Sequence, residues 1–265
     1  MGTSTSSSGA PSGVPFDPPW LRTVASMVEP SVEAIARPNR ISGPGRFRGA
    51  RLQLSKYLSA GSSDALHASF ARYVRKGLGG AAQATSRMRV PIAVSSAMVA
   101  SLLDLSECVR ADDYEDWMDQ VLSAPEPFDE LSSSLAKQIL PEGGSVDEES
   151  CRKSLAFSIA EFQRENPDFD VSEFDLDSIW DVVLLFLESE VYNRFILDIG
   201  QRLEQIEIGS MVQKEVAIKN YIKATLKVSI SRMRGRTIPR TRSEIAALIG
   251  RTLNDTFEIF EGGEE

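Results

Sequence analysis

Side chains that commonly catalyse reactions or bind metals are few and far apart in this sequence. There is one histidine, His67, and there are two cysteines, Cys108 and Cys151. A Ser-His-Asp or Cys-His site would need His67, which lies beside Leu66 and Phe70 on a predicted helical face. One His and two distant Cys do not have the spacing of an ordinary zinc site. We therefore expect a structural histidine, no metal and no enzymatic activity. For the cysteines we expect reduced, partly buried thiols, with a disulfide or redox pair as the alternative.

Carboxylates are abundant, and many lie in the segments "ADDYEDWMD" and "NPDFDVSEFDLD". In the second segment Asp168, Asp170 and Ser172 alternate as in a calcium loop. The sixth and twelfth positions of such a loop hold Gly and Glu, but here they hold Glu173 and Ile179. We therefore interpret these residues as a solvated acidic face.

A glycine-rich stretch, "RKGLGGAAQATSR", covers residues 75–87. Its backbone N–H groups could hold an anion at the start of a helix. No predicted strand precedes it, and the spacing of a phosphate-binding loop is absent. We predict a turn between two helices, with the anion site as the alternative.

The segment "SRMRGRTIPRTR" is rich in arginine, and the early chain adds Arg46, Arg48 and Arg51. Such residues can contact phosphates, but no interleaved aromatic platform or known nucleic-acid motif accompanies them. A basic loop that docks on an acidic surface is the favoured interpretation. A helical module that binds nucleic acid through this loop is the alternative function. The arginines concerned are Arg232, Arg234, Arg236, Arg240 and Arg242.

The net charge of −9 conceals three segments of different sign. Residues 1–100 contain 12 Lys or Arg and four Asp or Glu. Residues 101–210 contain seven Lys or Arg and 27 Asp or Glu. Residues 211–265 contain ten Lys or Arg and seven Asp or Glu. Basic and acidic segments could pack together within one fold or form partner surfaces; the first interpretation is favoured.

From Arg51 onward, apolar residues recur about every 3.6 positions, which predicts helices. Ser63 or Asp64 is expected to cap one helix, and Ser145 with Glu148 to form a capping box. Thr241 and Glu244 form a second candidate box. The segment from Leu176 to Ile208 is predicted to be the centre of the fold, with a bend at Gly200. In the next helix we expect an inward apolar stripe and outward lysines: Val212, Val216, Ile222, Leu226 and Ile230 inward, and Lys214, Lys219, Lys223 and Lys227 outward.

These elements predict an all-α protein, an irregular helical bundle over residues 46–265, with an alternative subdivision near 141–146. Residues 1–45 contain seven prolines and five glycines, which predicts a flexible N-terminal arm and Pro-rich lead. Trp20 and Leu21 are candidates to anchor this arm to the body. We expect a cytoplasmic protein, because no apolar stretch is long enough for a membrane span and no secretory signal is present.

The arm begins with "MGTSTSSSG", in which Gly2 is small enough to favour removal of the initiator Met. A primary amine without a neighbouring Cβ would then be exposed, with the small polar Thr3 and Ser4 behind it. "MGTSTS" also fits the myristoylation pattern, but no basic cluster follows to support membrane binding. The residues alone leave two alternatives, a slack tail and an end that threads into a pocket.

Three segments resemble the QatB family of the bacterial Qat antiphage defence system. They are the arm up to Trp20, "RFRGARLQLSKYLSAG" and "ARYVRKGLGGAAQATSRM". The resemblance implies a non-enzymatic component that works beside an ATPase, a QueC-like enzyme and a TatD-like nuclease.

A further implication of this resemblance is a modification at the N-terminus. QueC-type enzymes adenylate a deazaguanine carboxylate and then form a nitrogen bond to it. A QueC-like relative could use the freed α-amine of Gly2 as the nucleophile, which would leave a deazaguanine in amide linkage there. Thr3 and Ser4 would be recognition positions, and no other cofactor is expected.

Overall fold

The computed structural model describes residues 45–106, 117, 119–140, 144–205, 208–232 and 241–263. The arm up to residue 44 lies outside this set, with its candidate anchors Trp20 and Leu21, as does Cys108. Residues 141–143 of the alternative boundary near 141–146 also lie outside, and the predicted domain division stays a prediction.

The described residues are helical and contain no strand, so the predicted all-α class is confirmed. A π-helical segment, Tyr73–Leu78, follows the second α-helix, and a 3-10 segment, Gly200–Gln205, follows the seventh. The α-helices are α1 Arg48–Ala60, α2 Ser63–Arg72, α3 Ala81–Ser86, α4 Arg89–Ser106, α5 Pro127–Ile139, α6 Val146–Glu165, α7 Leu176–Ile199, α8 Ile208–Ser231 and α9 Arg242–Gly262.

Helix α7 is the centre of the bundle, as its sequence predicts. It packs against α4, α6 and α8, while α9 crosses α2, α3, α4 and α8. Its side chains are buried nearly all round, including Ile179, Val182, Phe186 and Phe195. A helix that is apolar on every side is covered on every side. The α-helix ends at Ile199, and the chain continues as a 3-10 turn from Gly200, where the sequence predicts a bend.

Aromatic side chains connect the helices at two places. Near one end, the Phe70 ring stacks on Phe195 at 4.0 Å and lies 4.7 Å from Phe260, which joins α2, α7 and α9. Near the second half of α6, Phe162 contacts Phe169 and Phe174 at 5.0 Å and 5.5 Å. Each aromatic side chain buries a large apolar area. The first cluster therefore joins three helices, and the second holds the α6–α7 connection against α6.

Local capping signals in the sequence are mostly confirmed. Ser145 and Glu148 form the predicted capping box at the start of α6. Thr241 caps α9 by accepting from the Glu244 N–H, and its hydroxyl donates to the Glu244 carboxylate instead of completing the box. The predicted cap of α2 is wrong by one position, because Ser62 accepts the Ala65 N–H.

The predicted inward stripe of α8 is wrong in its first half. Val212 and Val216 are 52% and 51% exposed, whereas Ile218 is fully buried in their place. The later positions Ile222, Leu226 and Ile230 are buried as predicted. Helix α8 packs on α7 and α9, and these contacts select the face that begins at Ile218.

The lysines of α8 do not all point to solvent. Lys214 lies 4.6 Å from the Tyr57 ring, and Lys219 lies 4.7 Å from the Tyr192 ring. Lys223 pairs with Glu165 of α6 at 2.8 Å, whereas Lys227 is exposed as predicted. The Lys223–Glu165 pair joins the basic C-terminal segment to the acidic middle segment, as the favoured interpretation of the charge pattern expects.

Candidate functional site at the base of the arm

Phe47 fixes the point where the N-terminal arm meets the helical body. Its ring is 8% exposed and stacks on Tyr73 at 5.5 Å. It also covers Gly77, where an added Cβ would collide with the ring. Because Gly77 has no side chain, the Phe47 ring can approach its backbone closely and anchor the first described residues to the helical body. The candidate anchors Trp20 and Leu21 lie outside the described residues and stay predictions. The sequence signal for this anchor was the motif "RFRG", in which an isolated aromatic residue lies just before α1.

Tyr73 links Phe47 to the core of the bundle. Its hydroxyl donates to the Asp198 carboxylate at 2.9 Å, and its ring meets the edge of Phe195 at 5.2 Å. Burial, followed by the charge of Asp198, raises the pKa of Tyr73 well above its usual value. The hydroxyl therefore stays protonated and acts as a hydrogen-bond donor.

The glycine-rich stretch forms the predicted turn between helical segments. Gly79 and Gly80 have φ angles of 94° and 100°, a region that L side chains rarely adopt. The first N–H of α3, at Ala81, is occupied by the Glu261 carboxylate at 3.1 Å. A carboxylate from α9 therefore occupies the position that the alternative prediction assigned to an external anion.

Arg87 and Arg194 line a small cavity behind Tyr73, with a volume of about 10 Å³. Arg194 donates to the Arg87 carbonyl at 3.4 Å and pairs with Asp147 at 3.3 Å. Burial lowers the pKa of Arg87, and the nearby Arg46 charge lowers it further. Three guanidinium groups from distant parts of the chain therefore lie close to the base of the arm.

A buried polar cluster between α6 and α7 was not anticipated from the sequence. Glu190 is 5% exposed and accepts from Ser150 at 3.0 Å and Ser154 at 2.6 Å. Burial raises the pKa of the neighbouring Cys151 thiol far above its usual value, and the Glu190 charge raises it further. Cys151 is a free, fully buried cysteine. A buried thiol that resists ionisation is chemically inert, which fits the expected structural role.

His67 is also structural, because its ring stacks on Tyr221 at 4.5 Å. The alternating acidic residues serve locally: Asp170 accepts from the Ser172 N–H at 2.7 Å, and Asp175 caps α7. Within the described ranges, no group of three or more His, Cys, Asp or Glu residues is placed to hold a metal ion. No helix in those ranges is both long and apolar enough to span a membrane.

The predicted functional residues fall mostly outside the described ranges. Gly2, Thr3 and Ser4 belong to the arm, and Arg234, Arg236 and Arg240 lie within residues 233–240. Arg232 and Arg242 are described and exposed, at the end of α8 and the first position of α9. The proposed contacts of this loop stay predictions.

Together, these features define an all-α protein in which guanidinium groups gather near Phe47, close to the first described residue. A family model described as Qat anti-phage system associated protein QatB matches residues 79–260. That match covers more than half of the chain, so the chain belongs to the QatB family and is a component of an antiphage defence system. Its partners belong to the same system. Searches of curated proteins and of solved structures find no significant match.

The family identification is therefore confirmed, largely by a different part of the chain. The resemblance rests on residues 1–20 and 47–88, whereas the family model begins at residue 79. The two overlap only in the glycine-rich turn and the start of the following helices. The matched region contains most of the central helix bundle.

Proposed function

We propose that this chain is a non-enzymatic scaffold in an antiphage complex and a substrate for N-terminal modification. The modification is a deazaguanine conjugated to the α-amine of Gly2 by a QueC-like partner, with Thr3 and Ser4 as recognition positions. Membership of the QatB family carries this proposal, and the ATPase and TatD-like nuclease of the same system are the further partners. The complex is cytoplasmic in this proposal.

The anchoring of Phe47 supports the role of the arm. Phe47 is held by its contacts with Tyr73 and Gly77, so the chain that precedes it joins the helical body at a defined position. Residues 2–45 can span at most roughly 150 Å when fully extended. A partner active site could therefore receive Gly2 while the helical body contacts other proteins.

The test is the intact mass of the protein after co-expression with the QueC-like enzyme. We expect added mass on the N-terminal peptide in the wild type and in Gly2→Ala, because Ala also permits removal of the initiator Met. Gly2→Trp should lose the added mass, whereas Gly13→Trp, a control in the same arm, should keep it. An unmodified wild-type N-terminus, or unchanged modification in Gly2→Trp, would overturn the proposal.

The second candidate is a nucleic-acid-binding module that uses Arg232, Arg234, Arg236, Arg240 and Arg242. The exposure of Arg232 and Arg242 at the adjoining ends of α8 and α9 favours it. Salt-dependent binding that disappears when Arg234, Arg236 and Arg240 are replaced by Glu would support it. No binding at low salt would exclude it.

A further inference from the structure

The described chain from the start of α1 into α4 carries an uneven distribution of charge. Residues 45–103 contain nine Lys or Arg and a single acidic residue, Asp64. Helices α1 and α2 pack as a hairpin joined at residues 61–62, and Ser69 of α2 donates to the Ala50 carbonyl of α1 at 3.0 Å. Asp64 lies at the closed end of this hairpin. The open end therefore gathers basic residues from both helices.

The contact between Phe47 and Gly77 brings together the basic residues that are next to them in the sequence. Arg46 and Arg48 flank Phe47 in the sequence, and Lys76 precedes Gly77. The Arg46 guanidinium lies 4.6 Å from the Phe47 ring. We call Arg46, Arg48, Lys76 and Arg87 the basic end.

The nearby carboxylates already have other partners. Asp147 pairs with Arg194, and Glu261 lies 4.0 Å from Arg75. Asp198 accepts from the neutral Tyr73 hydroxyl and offsets part of the Arg87 charge. In the part of the chain that the structure describes, no ion pair includes Arg46, Arg48 or Lys76. The basic end thus keeps a net positive charge.

The position of Arg46 and Arg48 at the start of α1 does not stabilise that helix. The first turn of α1 contains no acidic residue and has no side-chain cap. Cations near a helix N-terminus oppose the helix dipole. Arg48 begins α1 and Arg46 lies just before it, so both charges weaken the helix slightly. A bound polyanion would remove this cost.

We propose that the basic end binds the phosphate backbone of duplex nucleic acid. Arginine presents a planar fork of donors that matches phosphate oxygens. The buried core of a protein–protein interface is instead more apolar than the rest of the surface and poor in charged residues, and on α1 the only large apolar side chain that is well exposed is Leu52. Phe47 and Tyr73 are 8% and 2% exposed, so they cannot stack on unpaired bases as single-strand binders require. Binding is therefore to the backbone and independent of base sequence.

The proposal is tested with a fluorescein-labelled 30-bp DNA duplex by fluorescence anisotropy between 50 and 300 mM NaCl. We expect Arg46→Glu/Arg48→Glu/Lys76→Glu to bind at least about tenfold more weakly than wild type. The slope of log K against log salt should fall in magnitude by about 2 to 3, since about 0.9 is lost per phosphate contact. The control Lys137→Glu/Lys227→Glu/Arg251→Glu makes the same change in net charge at exposed positions elsewhere. It should retain binding within about threefold of wild type.

Several results would overturn the proposal. One is a wild type that does not bind at 50 mM NaCl, and another is an equal loss in the test and control variants. A loss confined to Arg232→Glu/Arg242→Glu would place the contact at the other loop. Binding of poly-L-glutamate at the basic end with an affinity equal to that of DNA would identify an acidic protein partner instead. If the glutamate variant unfolds by circular dichroism, Arg46→Gln/Arg48→Gln/Lys76→Gln provides the same comparison without charge reversal.

Discussion

The Glu261 carboxylate accepts a hydrogen bond from the Ala81 backbone N–H at 3.1 Å, although the two residues are 180 positions apart. Arg75 reinforces this link, because its guanidinium donates to the Glu261 carbonyl at 2.8 Å. Glu261 of the last helix, α9, thereby holds the glycine-rich turn in place and provides an acceptor for the first N–H group of α3. Without Glu261, this N–H group would lose its protein acceptor.

Replacement of Glu261 by Ala should destabilise the protein by about 1–2 kcal/mol, because the carboxylate that caps Ala81 is lost together with its 4.0 Å ion pair to Arg75. The hydrogen bond from Arg75 to the backbone carbonyl of residue 261 is kept. Urea unfolding at pH 7 measures this change. Glu258→Ala is the matched control, since Glu258 is an exposed residue of the same helix whose bond is to Asn254. An equal effect of the two variants would contradict the capping role.

Gly77→Ala should cost about 1–3 kcal/mol of stability, because the new methyl group would collide with the Phe47 ring. The measurement is the free energy of unfolding, and Gly262→Ala is the control because nothing lies within 4 Å of its added Cβ. A second substitution, Phe47→Leu, should recover part of the loss in the Gly77→Ala background. Additive effects of the two substitutions would argue against direct contact.

Glu188 should make stability depend on pH. The residue is 6% exposed, and burial raises its pKa to about 7, with Lys223 and Lys219 acting in the opposite direction. Because the folded-state pKa lies above the unfolded value of about 4.5, the folded state favours the protonated form. Its contribution to stability is therefore retained below pH 4.5 and is lost as the pH rises to about 7.

Glu188→Gln should accordingly be more stable than wild type at pH 8, by about 1–3 kcal/mol after allowance for solvent screening. The difference should vanish near pH 4. Unfolding curves at several pH values test this, with the exposed Glu173→Gln as control. A Gln variant with a constant difference at all pH values would show that Glu188 does not titrate in this range.

Two positions on α8 should respond very differently to truncation. Ile222→Ala should cost about 2–5 kcal/mol, because the side chain is fully buried and a cavity would remain. Val216→Ala should change stability by less than about 0.5 kcal/mol, because half of that side chain is exposed. Comparable losses at both positions, measured by urea unfolding, would mean that another segment covers Val216.

Features that depend on neighbouring residues could be predicted from the sequence. The Ser145–Glu148 capping box joins groups three positions apart, and the break at Gly200 follows from the residue type. The central position of α7 was also predictable, because its apolar residues leave no wholly polar face. The packed position of His67 against Tyr221 was expected from the aromatic and apolar residues beside it in the helix.

Features that depend on distant contacts could not be predicted. The sequence pattern allowed Val216 to face inward, and only the packing of α8 on α7 and α9 selected Ile218 instead. Likewise, no local pattern indicates that Glu261 reaches Ala81 or that Tyr73 binds Asp198. The sequence by itself determined the helices, their caps and their central segment, because these result from short-range hydrogen bonding and periodicity. Only the tertiary structure decided which faces meet and which charges gather at the base of the arm, because packing brings together residues far apart in the chain.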